Sequence, residues 1–255
     1  MMPDPTYLGD DDVRSARVRR LAVISIGALL IAFGAVLWTA PRWLVPYLAR
    51  RSPGCLYAVE TTVPVVALTI DDGPDSSTTP ALLRVLMQHG ARATFFLISR
   101  NVAQNHSMVA AMVQQGHEIG NHLTRDEPSI RLSATAFDSA LATAGRALSA
   151  FGPVRWTRPG GGRYNRRMVW AMQRQGYRCA LGSVYPYDAE LPSTWLSSAF
   201  ILAHVRPGAI IVLHDGGARG RRTHATLDRV LPELRERGFR VVTLSELAAR
   251  PPSTQ

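Results

Sequence analysis

Two adjacent carboxylates, Asp71 and Asp72, follow an apolar run and precede a Gly-Pro turn in the segment VVALTIDDGPD. Neighbouring residues at a strand end point their side chains to opposite sides. One carboxylate could therefore hold a cation while the other faces a substrate. Because Asp, Gly and Pro are ordinary turn formers, the pair alone is equally compatible with a solvated turn.

Further polar side chains also come directly after apolar runs. His122 and Asp126 stand four residues apart, a spacing that suits two ligands of one metal ion on a helical turn. Arg158 precedes three glycines in TRPGGGRYN, whose backbone could approach a ligand and donate N–H groups to an oxyanion, or simply form a flexible loop. His214 follows the run AIIVL, and histidine is the usual proton donor near neutral pH.

The elements that must position these residues alternate between short apolar runs and longer stretches with helical spacing. The predicted strands are 63–70, 93–98, 117–121, 155–158, 178–182, 209–214 and 239–243, and the predicted helices are 79–89, 107–115, 133–150, 166–175 and 226–237. This alternation predicts an α/β fold, a distorted (β/α) barrel of about seven parallel strands. Because parallel strands end on one face, we expect the polar residues to meet there.

Residues 21–40 contain no charged side chain, and a helix of this length spans the ~30 Å hydrocarbon core of a bilayer. The sequence therefore predicts one N-terminal transmembrane helix. A cleaved signal peptide is the alternative, but its apolar region would be shorter, and cleavage after Ala40 would place Trp38 where a small residue belongs.

The expected organisation has five parts. They are a cytoplasmic segment 1–20, a transmembrane anchor 21–40, a juxtamembrane linker 41–62, a catalytic domain 63–248 and a C-terminal tail 249–255. Slightly more arginines precede the anchor than follow it, which favours an N-terminus in the cytoplasm. We therefore expect a single-pass protein of the cell membrane with an extracytoplasmic catalytic domain.

The composition excludes several classes of function. The chain has 29 basic and 19 acidic residues, a net charge of +10, and every basic residue is Arg. Without Lys there is neither a Schiff-base amine nor a P-loop lysine. The arginines are scattered and accompany no nucleic-acid-binding motif, so we expect no nucleic-acid partner. The two cysteines, Cys55 and Cys179, are too few for a disulfide framework, and their redox state stays open.

Together these segments resemble the polysaccharide deacetylase family, carbohydrate esterase family four with its NodB-like homology domain, over most of 63–247. The family motif T-F-D-D-G-P is matched by residues 69–74, with Ile in the aromatic position. The motif R-P-P-Y-G followed by N is matched by Arg158, Pro159, Gly162 and Asn165. The motif L-H-D is matched by Leu213, His214 and Asp215. The resemblance implies a hydrolase that removes N-acetyl groups from an amino-sugar polymer such as peptidoglycan or a chitin-like chain.

The resemblance also implies roles for individual residues. Asp71 is expected as the general base, His214 as the general acid, and Asp72 and His122 as ligands of a divalent metal ion. Zinc is the first expectation for that ion. Arg158 is expected to pair with Asp71 and hold it ionised.

The chain departs from the family pattern in two motifs. In H-[ST]-x-x-H the second histidine is replaced by Asp126, which would give a harder ligand set that favours manganese, cobalt or nickel more than usual. If Asp126 does not bind, a catalytically weak carbohydrate-binding homologue is the alternative. Gly160 and Gly161 replace a proline and an aromatic residue, which keeps the Gly161 N–H as an oxyanion donor but thins the sugar platform.

Two residues are candidates to compensate for missing family features. Tyr164 is the candidate to replace the lost aromatic wall. No tryptophan-containing motif is recognisable, so Asp188 in SVYPYDAELP is the candidate partner that tunes His214. Because the sugar platform is thinned, an amidase acting on another acylated compound is a further alternative.

Overall fold

The computed structural model describes residues 10–51 and 54–249. Parts of the predicted cytoplasmic segment (1–9), linker (52–53) and tail (250–255) lie outside the described residues. The strands are β1 (Cys55–Leu56), β2 (Val65–Asp71), β3 (Ala93–Leu97), β4 (Glu118–Asn121), β5 (Trp156–Thr157), β6 (Arg178–Ala180), β7 (Ile210–His214) and β8 (Arg240–Val242). The α-helices are α1 (Asp10–Arg51), α2 (Thr79–Gln88), α3 (His106–Gln114), α4 (Ala134–Leu148), α5 (Arg166–Arg174), α6 (Thr194–His204), α7 (Gly217–Glu236) and α8 (Leu244–Ala248). Short 3-10 helices lie at Ser99–Asn101, Ala103–Asn105, Ser129–Arg131, Ser149–Phe151 and Gly160–Gly162.

The described strands form one sheet in which every strand pairing is parallel. Their order is β1-β6-β5-β4-β3-β2-β7, and β8 pairs with β2 as well. Two isolated bridges, Ala58 to Ala209 and Val184 to Ile211, connect β7 with segments near the opposite edge. The α/β prediction of a distorted barrel with about seven parallel strands is therefore confirmed.

Strand β2 shows how the sequence builds the barrel wall. All seven of its residues are buried, as expected for a parallel strand that is covered on both faces. Leu68 and Ile70 pack in the large core cluster with residues of α2 and α7, whereas Ala67 packs in a second cluster with Trp156. Since side chains alternate along a strand, Asp71 lies on the same face as Ala67.

Helix α1 is longer than the predicted anchor. It continues to Arg51, so residues 41–51 of the predicted linker are helical, and it ends only before the left-handed Gly54. Within Arg14–Thr39, an 18-residue window has a mean hydropathy of 2.5 and lies outside the protein core, which agrees with a membrane-spanning helix. Near the end of this stretch, the Trp38 ring centroid lies 5.4 Å from that of Phe200 in α6.

The two cysteines form a disulfide bond. Cys55 in β1 and Cys179 in β6 are register partners in a parallel pair, and the bond joins residues that are 124 positions apart. It therefore fastens the short edge strand β1 to the sheet.

Besides α1, three helices differ from the sequence prediction, and the short α8 is one that was not predicted. Helix α6 was not predicted, because its sequence TWLSSAFILAH is apolar on more than one side and lacks a polar stripe. Helix α7 begins at Gly217, nine residues before the predicted start at 226. Its first turns contain Gly217 and Gly220, and glycine is a poor helix former.

Candidate active site

The predicted site residues meet at the carboxyl ends of the strands. Asp71 ends β2 and is the register partner of His214 at the end of β7, while His122 and Arg158 directly follow β4 and β5. These residues surround a cavity of about 450 Å³. Its lining includes Tyr57, Asp71, Asp72, His122, Asp126, Arg158, Gly161, Leu181, Tyr185, Glu190, Val212, His214 and Arg219. Of the predicted site residues, Tyr164 and Asp188 lie behind the lining rather than in it.

Arg158 holds Asp71 in place from below the cavity. Its Nη1 donates to Asp71 Oδ1 at 2.6 Å and to the hydroxyl of Thr69 at 2.9 Å, and its Nε donates to the carbonyl of Ala180 at 3.0 Å. The guanidinium also stacks over the Phe96 ring, 4.2 Å from the centroid. Because both charged groups are buried, this network fixes one orientation of the Asp71 carboxylate.

Asp72 turns away from its neighbour. Its φ of +73° lies in the left-handed region, which Asp tolerates better than most residues and which redirects the backbone after β2. Its Oδ1 lies 3.3 Å from Nε2 of His122. Burial raises the pKa of Asp72, but the hydrogen bond with His122 and the charges of His122, His214 and Arg219 outweigh burial and lower it.

The hydrogen bonding of His122 matches that of a metal ligand. Its Nδ1–H donates to the carbonyl of Arg158 at 2.7 Å, so its Nε2 faces Asp72 with a lone pair or a second proton. Burial lowers the pKa of His122, but Asp72 and Asp71 outweigh burial and raise it. A buried imidazole nitrogen and a carboxylate oxygen at this distance need a cation, either a proton or a metal ion.

The side chains of Asp72 and His122 fit a divalent cation, whereas Asp126, the third predicted ligand, does not lie with them. The Asp126 side chain is 59% exposed, and its Oδ2 accepts a hydrogen bond from Arg219 at 3.0 Å. In the part of the chain that the structure describes, no three His, Cys, Asp or Glu side chains are arranged to hold one ion. The predicted ligand set is thus split between a buried pair and an exposed carboxylate.

Arg219 was not among the predicted site residues. It lies in the first turn of α7, and its guanidinium reaches Asp72 Oδ2 through Nη1 at 2.9 Å and Asp126 Oδ2 through Nη2 at 3.0 Å. One arginine therefore joins the two carboxylates. In the sequence it follows Gly-Gly-Ala, a loop-like context without a spacing signal.

His214 is held by Asp188. The His214 Nδ1 lies 3.0 Å from Asp188 Oδ1, and the His214 backbone N–H donates to Asp188 Oδ2 at 3.0 Å. Burial lowers the pKa of His214, but the hydrogen bond and charge of Asp188, with the charges of Asp71 and Asp72, raise it to about 9. His214 is therefore cationic at neutral pH and able to donate a proton.

Aromatic residues and a glycine complete the wall of the cavity. Gly161 lines it with a φ of +70°, and Tyr57 lines it with a hydroxyl that is hydrogen-bonded to Tyr164 at 3.0 Å. Tyr164 thus supports an aromatic wall residue from behind. Tyr185, which was not predicted, contacts the His214 ring edge-on at 5.7 Å and donates to Glu190 at 2.8 Å.

Helix α1 also reaches the cavity. Val45 and Leu48, in the helical segment that follows the apolar stretch, line it together with the residues described above. The apolar part of the wall is therefore supplied in part by α1.

Asp215 is a strand-end carboxylate with a different role. It is fully buried and accepts hydrogen bonds from the hydroxyls of Thr78 at 2.6 Å and Thr79, and from the Gly216 N–H at 2.7 Å. It joins the starts of α2 and α7 and does not line the cavity.

Comparison with known proteins identifies the family. A model of the polysaccharide deacetylase family matches residues 58–180. A peptidoglycan-N-acetylglucosamine deacetylase of Bacillus cereus is 34% identical over 72% of this chain and 87% of its own length. A chitooligosaccharide deacetylase of Bradyrhizobium sp. is 33% identical over 71% of this chain and 90% of its own length.

Solved structures agree with these relatives. The crystal structure of the Bc1960 peptidoglycan N-acetylglucosamine deacetylase superposes with a TM-score of 0.74 at 27% identity, covering 82% of this chain and 99% of that one. A pseudoenzyme of carbohydrate esterase family four from Bacillus anthracis superposes with a TM-score of 0.70 at 26% identity, covering 77% and 69%. The chain therefore belongs to the polysaccharide deacetylase family.

Proposed function

We propose that this protein hydrolyses the acetamide of N-acetylglucosamine units in a cell-surface polymer, peptidoglycan or a chitin-like chain. The observation that carries the proposal is the pairing of Asp71, held by buried Arg158, with His214, held by Asp188, on neighbouring strands of one cavity. A carboxylate base beside a cationic acid is what amide hydrolysis requires. The relatives' names support the substrate class.

The chain's own residues have separate roles in the proposed reaction. Asp71 accepts a proton from the water that attacks the acetamide carbon, and Arg158 fixes the direction of its carboxylate. His214 then protonates the departing amine, which is a poor leaving group without that proton. The Gly161 N–H at the cavity wall is the proposed donor to the tetrahedral oxyanion.

Asp72 and His122 are the proposed ligands of a divalent cation, and Asp126 is the third when it is released from Arg219. Zinc is the first candidate, followed by manganese, cobalt and nickel, which tolerate a second carboxylate well. When bound, the ion would supply Lewis-acid polarisation of the acetamide carbonyl and acidify the attacking water.

The proposed location is the cell membrane, with the α/β domain outside the cytoplasm and α1 as a single-pass anchor. The apolar 18-residue window within Arg14–Thr39 supports the anchor. The disulfide between Cys55 and Cys179 supports the external side, because disulfides persist mainly in oxidising compartments.

Acetate release from N-acetylglucosamine oligomers and from peptidoglycan tests the proposal. We expect the detergent-solubilised protein to release acetate and Asp71→Asn to lower the rate about 10²-fold or more, with the bound metal retained. Asp138→Asn, a change of the same type in a partly exposed ion pair with Arg174, is the matched control and should keep full activity. Full activity of Asp71→Asn would contradict the assignment of the base.

A catalytically silent carbohydrate-binding protein is the second candidate. It is favoured by the ion pair between Asp126 and Arg219 and by the likeness to a pseudoenzyme. This candidate predicts that the oligomers bind but release no acetate, even with excess zinc or manganese. Acetate release from a small acylated amide, but not from the oligomers, would indicate an amidase for another substrate.

A further inference from the structure

The position of Arg219 relates directly to the metal site in the proposed function. Its two terminal nitrogens reach Asp72 Oδ2 and Asp126 Oδ2 at 2.9 and 3.0 Å. The planar guanidinium is well suited to hold two carboxylates at once, and it stays protonated at all physiological pH values. Arg219, a permanent cation, is thus paired with two of the three proposed metal ligands, Asp72 and Asp126.

A metal ion and Arg219 would compete for the same two carboxylates, those of Asp72 and Asp126. The Asp72 side chain is 6% exposed and faces both His122 and Arg219, so an ion bound between Asp72 and His122 would lie beside the guanidinium. A metal ion and a neighbouring guanidinium repel each other strongly in a buried site, because both are positively charged. Binding of the ion is therefore weakened unless the guanidinium moves.

The same contacts show that Arg219 can move. Its side chain is 33% exposed and that of Asp126 is 59% exposed, so this half of the bridge is open to solvent. Exposed ion pairs exchange readily with water because solvent screens them. The buried half, at Asp72, is the part that a metal ion would replace.

We propose that Arg219 is a built-in competitor of the metal ion. It neutralises Asp72 and Asp126 in the metal-free protein, and it must release Asp126 before that carboxylate can become a ligand. The inference rests on the proposed metal site, and it explains how a chain without the second histidine keeps two carboxylates together. Arg219 thereby sets the metal affinity.

Calorimetric titration of the full-length, detergent-solubilised protein with Mn²⁺ and with Zn²⁺ tests this inference. Arg219→Ala is expected to bind both ions at least about tenfold more tightly than the unchanged protein, the scale typical of groups that contact metal ligands. Arg219→Gln keeps hydrogen-bond donors without the charge and should also bind more tightly, which covers the case in which the alanine variant does not fold. Arg221→Ala, an exposed arginine of the same helix, is the control and should match the unchanged protein. Equal or weaker affinity of both Arg219 variants would overturn the inference.

A double-mutant cycle separates competition from a simple change of charge. Asp126→Asn should weaken Mn²⁺ binding more in the Arg219→Ala background than in the unchanged protein, because Asp126 can act as a ligand there without first breaking its ion pair with Arg219. An equal cost in both backgrounds would overturn the inference. Acetate release is measured in parallel. Absence of acetate release with the predicted order of affinities would reject the proposed deacetylation while supporting competition by Arg219.

Discussion

Asp71 and Asp72 are adjacent and chemically identical, yet they contact different cations. Asp71 continues the extended strand and meets Arg158, whereas the left-handed backbone at Asp72 turns its carboxylate towards His122 and Arg219. The sequence predicts a division of labour within the pair, but the partner of Asp72 depends on α7, which is distant in the chain. Position in the fold therefore gives two like residues separate chemistry.

The pair of His214 and Asp188 predicts a specific pH dependence. The pKa of His214 is raised to about 9, so the proton it donates is present at neutral pH and is lost as the pH rises through about 9. Asp188→Asn removes the hydrogen-bonded negative charge that raises this pKa, while burial, which lowers the pKa, and the charges of Asp71 and Asp72, which raise it, remain. The alkaline limit of kcat should then fall from about 9 towards the ordinary histidine value of ~6.5.

The pH profile of kcat for acetate release checks this expectation. Asp228→Asn, a change of the same type on the exposed side of α7, is the control and should leave the profile unaltered. The stability of the fold should depend on pH in the same direction. The pair of cationic His214 and Asp188 contributes its full stabilisation below pH ~6.5, and this contribution is lost as the pH rises through about 9. An unchanged alkaline limit in Asp188→Asn would show that His214 is not the acid.

At the scale of elements, the barrel strands were predictable except for the edge strand β1, which lies in the predicted linker, and some helices were not. Strands such as β2 and β7 are continuous apolar runs that end in polar residues, so their positions and their common edge follow from sequence. Helix α6 is buried against α7 and α1 and lacks the polar stripe that marks a surface helix. The start of α7 contains Gly220, whose purpose is close packing against α2, and the local sequence pattern does not reveal this.

Gly220 illustrates that purpose and gives a prediction. A Cβ at this position would lie 2.6 Å from Asp215 Oδ1 and 2.6 Å from Thr78 Cβ, so the start of α7 approaches α2 closely only with glycine. Gly220→Ala should lower the free energy of unfolding by about 1–3 kcal/mol, the usual cost of overpacking, although alanine is the better helix former. Urea unfolding of the full chain measures this change in the free energy of unfolding.

The control for Gly220 uses a glycine with space around it. At Gly34 in α1, an added Cβ would meet no atom within 4 Å, so Gly34→Ala should leave the α/β domain as stable as before. Because Arg219 precedes Gly220, displacement of this turn should also disturb the contact with Asp72. An unfolding free energy of Gly220→Ala equal to that of the unchanged protein would show that α7 relaxes without cost.

At the scale of the whole molecule, helix α1 is in contact with the cavity. Helix α1 packs against α6 through Trp38 and Phe200, and its later residues Val45 and Leu48 line the cavity. Sequence patterns describe each segment separately, so they predicted the span but not its contact with the domain. For the same reason they left open the disulfide, which depends on the pairing of β1 with β6.

With α1 as the proposed membrane anchor, this arrangement would place the cavity close to the bilayer. Leu48 lies nine residues beyond Thr39, the end of the apolar stretch, and nine residues of helix extend about 13 Å. The proposed polymer substrate would then pass the end of α1 as it enters the cavity. Leu48 supplies apolar surface to the wall, and its hydrocarbon side chain can neither accept nor donate a proton in the reaction.

Leu48→Ala should therefore raise KM for N-acetylglucosamine oligomers severalfold and leave kcat nearly unchanged, because it removes binding surface shared by substrate and transition state. Loss of apolar contact equivalent to about one buried methylene group accounts for this size, at about 0.8 kcal/mol. Leu30→Ala, whose side chain in the same helix is 66% exposed, is the matched control and should change neither constant. Steady-state acetate release measures both constants. A Leu48→Ala protein with unaltered KM would mean that oligomers bind without touching α1, and the anchor helix would then hold the domain at the membrane without shaping its substrate site.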